Sequence, residues 1–449
     1  MNRTILSFLV SVIISVSVFL SPEQAGAQAN LLQSGPMVGY SDFREVLIWV
    51  QTNAPADVKI GYFAQGEKER FTPTVSTTTA RDHIAKLFPS EVDYGTIYTY
   101  KLYINNQYVA RPYPLEFQTQ TLWQYRTDPP PFSFAIGSCF YRNDPRDDRP
   151  GTPYGGEYDI FKSIAQKDPD FMVWLGDNIY LRTPDFQTER GVRYRHRESR
   201  ATTELQPLLG SVHHYAIWDD HDFGPNDSDR SYVHKKVTEK AFNEYWGNPS
   251  TNATGEGGIT GQFVWNDVEF FLMDDRYHRA PNRSLDMNKD YLGEAQLNWL
   301  VDALTASQAS FKIVCIGGQT ISNAAVYENM ATYPEARKRL LDRIAAEKIE
   351  GVVFMSGDRH HTEISRLERP NAYPLIDITC SPLTAGIHKA RDEGNTLQVK
   401  DKIYYERNFG VVAVSGKYGA RNLLLTIYDQ QGKKVWDYGI SQEELKYKR

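Results

Sequence analysis

Polar side chains that could bind metal ions follow short apolar segments at several places in the sequence. In residues 171–180, FMVWLGDNIY, five apolar residues precede a glycine, and Asp177 and Tyr180 come directly after it. Such short apolar runs are typical of buried strands in a parallel sheet, and functional groups collect beyond the carboxyl ends of those strands. A carboxylate and a phenol could face one metal ion there. From this segment alone, an aspartate that caps a turn and a tyrosine that only packs are an equally good interpretation.

Five further apolar runs end in the same way, which makes coincidence a poor explanation. The polar residues that follow them are Ser138 and Cys139; Asp219, Asp220, His221 and Asp222; Asp274, Asp275, Arg276 and His278; Gln319; and Asp358, His360 and His361. Carboxylates and a phenolate are hard oxygen donors, and a phenolate favours a strongly Lewis-acidic ion such as Fe³⁺. The pattern therefore predicts metal chemistry.

His221 follows a carboxylate directly and could donate a proton to a leaving oxygen; the alternative is a histidine that only fills the core. Asp358 and His360 would share one side of an extended backbone and could reach one centre. His361 would then point away, so that it or Glu363 could support a metal ligand. Arg276 could hold phosphate oxygens through its planar guanidinium, with an ordinary surface ion pair as the equally weighted alternative.

Composition excludes several classes of protein. The chain has 449 residues and a net charge of −6, so neither a general nucleic-acid binder nor a membrane-surface binder is expected. Three cysteines exclude a disulfide scaffold. Cys139 is the one that we interpret as a metal ligand, Cys315 is interpreted as a core residue, and Cys380 is left open.

The N-terminus predicts export from a bacterial cell. Residues 1–27 combine a basic start, an apolar core and the small residues Ala25-Gly26-Ala27, as in a secretory signal peptide. A membrane anchor fits less well because the apolar run is short for a span. We therefore expect a secreted or periplasmic protein without a membrane span after cleavage.

The mature chain divides into two predicted domains. Residues 31–121 alternate apolar with polar residues in short runs, which predicts a small antiparallel β-sandwich with a structural or surface-docking role, or a carbohydrate-binding one. A proline-rich linker at 128–131 follows. In residues 122–449 strands alternate with helical patterns, which predicts a layered α/β catalytic domain. Two polar insertions, 143–156 and 183–200, are candidate site-lining loops.

Taken together, the motifs resemble the alkaline phosphatase D (PhoD-like) family of metallophosphoesterases. They are GSC at 137–139, GDNIY at 176–180, WDDHDFGPND at 218–227, LGEAQLNWL at 292–300 and GDRHH at 357–361. The family is similar to purple acid phosphatases and calcineurin-like phosphoesterases. The resemblance implies a four-layer αββα core that holds two or more metal ions.

The resemblance also implies roles for individual residues. Asp177 would bridge two metals, Tyr180 would bind the ferric one, and Gln319 stands where related enzymes often have a further histidine. The implied metal ligands are Cys139, Asp177, Tyr180, Asp220, Asp358 and His360, and Asn178, Arg276, Gln319 and His361 are candidates for phosphate binding or support of the ligands. The implied metals are Fe³⁺ and Ca²⁺, with Zn²⁺ or Mn²⁺ as alternatives.

These expectations describe a secreted phosphoesterase that hydrolyses small phosphate esters. Metal-bound hydroxide would attack phosphorus in line, and His221 would protonate the departing alkoxide. A phosphodiesterase or phospholipase-type activity at the same site is the main alternative. A non-catalytic surface protein stabilised by calcium is a second, for which an imidazole beside the carboxylates would have no use.

Overall fold

The computed structural model describes residues 31–389 and 393–448. The signal peptide predicted at 1–27 lies outside these residues. Within them, no helix has the length and apolar character that crossing a bilayer would require.

The described residues form strands in three sheets, with helices between them. The strands are β1 (Leu32–Ser41), β2 (Val46–Thr52), β3 (Asp57–Ala64), β4 (Arg70–Phe71), β5 (Val75–Ser76), β6 (Ile84–Leu87), β7 (Ile97–Ile104), β8 (Gln107–Val109), β9 (Glu116–Gln118), β10 (Phe132–Gly137), β11 (Phe171–Leu175), β12 (His213–Ile217), β13 (Gly261–Trp265), β14 (Val268–Leu272), β15 (Phe311–Cys315), β16 (Val352–Ser356), β17 (Thr362–Leu367), β18 (Leu375–Thr379), β19 (Gln398–Tyr404), β20 (Asn408–Lys417), β21 (Ala420–Asp429) and β22 (Lys434–Ser441). The α-helices are α1 (Ile160–Ala165), α2 (Glu189–Arg200), α3 (Gln206–Ser211), α4 (Asp220–Phe223), α5 (Lys235–Tyr245), α6 (Glu294–Ala306) and α7 (Pro334–Ala346). Short 3₁₀ turns occupy Thr79–Arg81, Thr203–Leu205, Met330–Thr332 and Glu443–Leu445.

The first large sheet has nine strands in the order β22-β21-β20-β10-β11-β12-β1-β2-β6. Its centre is parallel, because β11 pairs in parallel register with β10 on one side and with β12 on the other. Strand β1 continues the sheet by pairing in parallel with β12 at Val38 and His213. The N-terminal region thus supplies three strands, β1, β2 and β6, to the same sheet that carries the predicted site.

The remaining N-terminal strands form a separate six-stranded sheet. Apolar residues of β3 and β7, including Ile60 and Leu102, are fully buried in one cluster with Ile48 of β2 and Ala85 of β6. A small β-sandwich therefore exists as expected, and one of its two layers is an extension of the catalytic sheet.

The second large sheet faces the first and has the order β13-β14-β15-β16-β18-β17-β19. Aromatic rings fill the space between the two sheets: the centroids of Phe171 and Phe270 lie 5.4 Å apart, and those of Tyr215 and Phe263 lie 3.6 Å apart. On the outer faces, α1 packs Phe161 against Trp174 at 6.0 Å, and α6 packs Trp299 against Phe271 at 6.3 Å. The core is the expected four-layer αββα arrangement.

A buried ion pair joins the proline-rich linker to both large sheets. Arg421 of β21 lies 3.1 Å from Asp267, which sits in the turn between β13 and β14. Its guanidinium also donates hydrogen bonds to the carbonyl oxygens of Pro129 and Pro130, each 3.0 Å long. Because prolines fix the backbone of the linker, these contacts hold the start of β10 in one position.

Candidate functional site

The predicted site residues come together where the carboxyl ends of the parallel strands meet. Cys139 follows β10, Asp177 and Tyr180 follow β11, and His360 follows β16. Ligand atoms of Cys139, Asp177 and His360 all lie within 4.8 Å of one another. The chain therefore brings residues more than 200 positions apart into a single cluster, as the recurring strand ends predicted.

Tyr180 completes this first cluster. Its hydroxyl donates a 3.0 Å hydrogen bond to Oδ2 of Asp177 and lies 3.0 Å from Nε2 of His360. The Cys139 sulfur is 3.5 Å from the same Asp177 oxygen and accepts a 3.1 Å hydrogen bond from Ser381. Thiol, carboxylate, phenol and imidazole thus converge on one point, a donor set that suits a transition metal.

Three more groups of close ligand atoms adjoin the first. They are Asp177, Asp220 and His221; Asp219, Asp220 and Asp358; and Asp220, Asp227 and Glu328. Asp177 belongs to two of the four groups, which is the geometry that a bridging carboxylate requires. Asp220 belongs to three of them, so the groups form one continuous patch of carboxylate, imidazole and thiol donors.

Four of the predicted ligands have a strained backbone. The φ angles of Cys139, Asp177, Asp358 and His360 are 62°, 52°, 63° and 54°, in the left-handed region that non-glycine residues rarely adopt. Strain of this kind persists where the surroundings impose it, and it concentrates at functional sites. The expectation that Asp358 and His360 share one side of an extended backbone is wrong for this reason. The two side chains belong to different ligand groups.

The cluster carries a strong excess of buried negative charge. Burial, together with Cys139 and Asp220, raises the pKa of Asp177 well above its usual value. Burial also raises the pKa of Asp222 to about 7 and the pKa values of Asp358 and Asp227 to about 6 each. Carboxylates in such surroundings need a cation to stay ionised at neutral pH.

Metal ions fit these residues because several ligand atoms lack a hydrogen-bond partner in the described part of the chain. Four buried ligand atoms have no such partner: Oδ2 of Asp219, Oδ1 of Asp220, Nδ1 of His221 and Oδ2 of Asp358. A buried polar atom without a partner costs about 1–3 kcal/mol. Four such atoms beside overlapping ligand groups match the donor pattern of a multi-metal site.

The stability gained from metal binding should increase with pH. The pKa values of Asp358 and Asp227, which belong to the ligand groups, are raised from 3.8 to about 6, so these carboxyls keep their protons in the metal-free fold while the unfolded chain ionises. Metal-free protein then loses stability as the pH rises from about 4 to about 6. Bound cations remove that loss, so the difference in Tm between metal-loaded and EDTA-treated protein should widen across this window.

Comparing the two forms at each pH cancels the contribution of buried histidines elsewhere. Burial lowers the pKa of His196 to about 3 and that of His213 to about 4. Because of these histidines, both forms of the protein gain stability as the pH rises, and by the same amount. Thermal melts at half-unit pH intervals give the two curves. A Tm difference that stays constant or narrows with rising pH would contradict the assignment of these carboxyls to a cation site.

Arg276 lies inside the protein, directly behind the carboxylates. It is fully buried, its Nε donates a 2.5 Å hydrogen bond to Asp219, and its Nη1 donates a 2.6 Å hydrogen bond to Glu328. Burial alone would raise the pKa of Glu328, but Arg276 and Arg279 lower it to about 2. The surface ion pair weighed as an alternative is therefore wrong. Arg276 keeps Glu328 ionised and fixes the position of Asp219, whose pKa burial nevertheless raises well above its usual value.

The other predicted residues lie around the cluster. The Asn178 side chain donates to the carbonyl oxygen of Ile217 at 2.7 Å. Gln319 donates a 2.7 Å hydrogen bond to Glu363, and His361 lies with Nε2 3.9 Å from the same carboxylate. In the described residues, neither Gln319 nor His361 belongs to the four ligand groups; both side chains lie at Glu363 instead.

Sequence reasoning missed Glu328 and Tyr154. Glu328 lies in the long loop between β15 and α7, where no strand end or spacing pattern marks it. Tyr154 lies in the insertion 143–156, which was predicted to line the site, and its hydroxyl is 3.1 Å from Nδ1 of His360. Asp227 was noted only as the last residue of the motif at 218–227; it joins Asp220 and Glu328.

Comparison with known proteins identifies the family. A family model described as PhoD-like phosphatase matches residues 134–420, more than half of the chain. The chain belongs to the PhoD-like phosphatase family. Residues 29–122 match a second model, described as a domain of unknown function. The expected enzyme class, a hydrolase of phosphoric esters, is confirmed at the level of this family.

Individual relatives agree with this assignment. Alkaline phosphatase D of Bacillus subtilis (strain 168) is 22% identical over 300 residues, which cover 56% of this chain and 49% of that protein. The chain thus spans about half the length of this curated relative. A solved structure of PhoD, 17% identical, superposes with a TM-score of 0.71 over 91% of this chain and 92% of its own. A purple acid phosphatase from yellow lupin (Lupinus luteus) seeds, 14% identical, gives a TM-score of 0.67 over 90% and 74%. These likenesses confirm the metallophosphoesterase fold.

Proposed function

We propose that the chain is an exported, metal-dependent phosphoesterase that hydrolyses small phosphate esters. The observation that carries the proposal is the set of four overlapping ligand groups at the strand ends, with Asp177 shared between two of them. A site with shared carboxylates suits two or more metal ions held close together. The predicted signal peptide at 1–27 supports a secreted or periplasmic location.

The donor sets suggest which metals bind where. Fe³⁺ would be held by Cys139, Asp177, Tyr180 and His360, since phenolate and thiolate are strong donors to that ion. The oxygen-rich groups around Asp220 would suit Ca²⁺, with Zn²⁺ or Mn²⁺ as alternatives in either position. Metals bound there would lower the pKa of a water molecule and offset the negative charge of the phosphate oxygens.

The protein's own residues would arrange the reaction around these metals. Arg276 holds the carboxylates of Asp219 and Glu328 in fixed positions. The ring of His221 stacks against Tyr180 with a centroid distance of 4.2 Å and a tilt of 33°, and its side chain is 21% exposed. It is therefore accessible from the crevice and could protonate the oxygen of a departing alcohol, leaving the imidazole neutral.

Activity assays on purified enzyme test the proposal directly. Wild-type protein should hydrolyse a soluble phosphomonoester, lose that activity in EDTA, and regain it when Fe³⁺ and Ca²⁺ are returned together. A phenolate or thiolate bound to Fe³⁺ should also give a visible charge-transfer absorption band. A colourless, fully active protein that contains only zinc would overturn the ferric assignment, and inactivity on every ester with a full metal complement would overturn the function.

The same experiment distinguishes the main alternative. A diester such as bis(nitrophenyl) phosphate, assayed beside the monoester, reports whether the site prefers a phosphodiester. Faster turnover of the diester at equal concentration would identify a phosphodiesterase, with the metal site and His221 unchanged in their proposed roles.

A further inference from the structure

We propose that Tyr154 is a positioning residue that holds His360 in the tautomer and orientation required to bind a metal through Nε2. The inference rests on the proposed function, because it assigns His360 as a ligand. The hydroxyl oxygen of Tyr154 lies 3.1 Å from Nδ1 of His360, on the opposite side of the ring from the metal cluster.

The two nitrogens of His360 face different surroundings. Nε2 lies 3.0 Å from the Tyr180 hydroxyl, at the cluster that also contains Cys139 and Asp177. A neutral imidazole carries one proton, so Nε2 can bind a metal only if the proton sits on Nδ1. Nδ1 then needs an acceptor, and the oxygen of Tyr154 is placed to accept that hydrogen bond, beside the Gly386 backbone that also bonds to the ring. Metal-bound histidines commonly have such a partner on the second nitrogen.

Local contacts fix Tyr154 in this position. Asn143 and Gly155 exchange a pair of hydrogen bonds of 3.0 and 2.9 Å, and the Gly156 amide donates a 2.7 Å bond to the carbonyl oxygen of Thr384. The ring itself lies on Gly386, where an added Cβ would come within 2.6 Å of it. Tyr154 is 46% exposed, and these contacts hold its backbone and one face of its ring in place.

Tyr154 also belongs to a short row of aromatic rings that ends at the metal cluster. Its ring lies 4.8 Å from Tyr141, which lies 4.9 Å from Tyr180. Tyr141 is fixed in turn by a 2.7 Å hydrogen bond to Asp148 and by the guanidinium of Arg182, 4.0 Å from its centroid. The row connects the 143–156 insertion to a predicted ferric ligand, which gives the insertion a role in the site.

The variant Tyr154→Phe tests the proposal because it removes the hydroxyl and keeps the ring. Loss of a partner to a ligating histidine typically weakens metal affinity or activity about 10–100-fold. Holoenzyme with its native metals is diluted into EDTA, and the metal still bound is measured by mass spectrometry over time. We expect the variant to lose the metal of the Cys139 cluster about 10–100-fold faster than the wild type, with its absorption band fading in parallel.

Tyr194→Phe is the matched control. The Tyr194 hydroxyl donates a 3.2 Å hydrogen bond to Asp144 of the same insertion, and Arg146 and Arg195 lie over its ring, but the described contacts of Tyr194 do not include His360. This variant should therefore lose metal at the wild-type rate. Equal acceleration in both variants would mean that any loosening of the loop has the effect, which would overturn the role of the Tyr154 hydroxyl.

The remaining outcomes separate this inference from the proposed function. If Tyr154→Phe keeps metal as long as the wild type and only KM rises, Tyr154 contacts substrate and the positioning role is wrong while the phosphoesterase stands. If wild-type holoenzyme carries no metal at the cluster, both the metal-dependent function and this inference are wrong.

Discussion

Replacing Asp177 by asparagine should reduce phosphatase activity by on the order of 10³-fold or more, since losing even one group that stabilises transition-state charge costs about 10²–10³-fold. Asp177 contributes to two ligand groups at once, so the change weakens two metal positions. Metal analysis of the variant should show less metal bound at both positions. The ratio of kcat/KM for wild type and variant on a phosphomonoester measures the loss of activity.

The same substitution should leave the metal-free fold as stable as the wild type, or more stable. Burial and the neighbouring Cys139 and Asp220 raise the pKa of Asp177, so its ionised form is disfavoured in the metal-free fold. A group whose folded pKa is raised lowers stability as pH rises above its unfolded value. Asparagine carries no charge and removes that cost, so the Tm of EDTA-treated protein at pH 8 should stay equal or rise.

A matched control separates the site from the general effect of losing a carboxylate. Asp302 lies exposed on α6, so Asp302→Asn should change neither activity nor metal content. If Asp177→Asn keeps both metals and most of its activity, Asp177 does not bridge two metal ions. If its metal-free form melts well below the metal-free wild type, the Asp177 carboxylate stabilises the fold without a cation, and its assignment as a metal ligand is wrong.

The sequence predicted the candidate ligands that lie within a few residues of a strand end. Cys139, Asp177 and His360 were predicted because each lies within a few residues of an apolar run, and these runs became β10, β11 and β16. Parallel strands of one sheet bring their carboxyl ends to the same edge, and in this fold the ends of β11 and β16, from the two facing sheets, also meet. Local sequence therefore determined this part of the site.

Residues positioned by distant contacts could not be predicted in this way. Glu328 is placed by Arg276 and Arg279, about 50 residues earlier in the chain, and no local spacing encodes those ion pairs. Tyr154 is placed by Asn143 and by Gly386, which is 232 positions away. The pairing of β1 with β12 is equally nonlocal, so the sharing of a sheet between the N-terminal region and the catalytic core also escaped prediction.

Backbone conformation accounts for the remaining difference between the predicted and the observed site. Sequence reasoning placed Asp358 and His360 on an extended strand, where residues two apart share a side. The chain instead turns through left-handed φ angles of 63° and 54° at these positions. The turn directs Asp358 toward Asp219 and Asp220 and directs His360 toward Cys139 and Asp177. One motif can therefore serve two neighbouring metal positions.

His221→Ala should slow the hydrolysis of an alkyl phosphate much more than that of a nitrophenyl phosphate. A positioned acid contributes about 10²–10⁴-fold when the leaving oxygen needs a proton, so the alkyl ester should lose roughly that much. Nitrophenolate leaves readily without a proton, and its ester should lose clearly less. Steady-state kcat on the two esters, with metal content measured on the same samples, gives the comparison.

The structure defines what each outcome would mean. Nε2 of His221 lies 3.9 Å from Oδ2 of Asp220, and the residue shares a ligand group with Asp177 and Asp220, so a ligand role competes with the acid role. Burial lowers the pKa of His221, which favours the neutral form that a metal requires, while the Asp220 carboxylate acts in the opposite direction. The half-buried His234, which lies outside the ligand groups of the described chain, provides the control variant His234→Ala. Equal losses on both esters together with loss of a metal would make His221 a ligand, because a missing ligand impairs every substrate alike. No loss on either ester, with the control also unaffected, would leave the histidine a structural role and require a different proton donor for the leaving group.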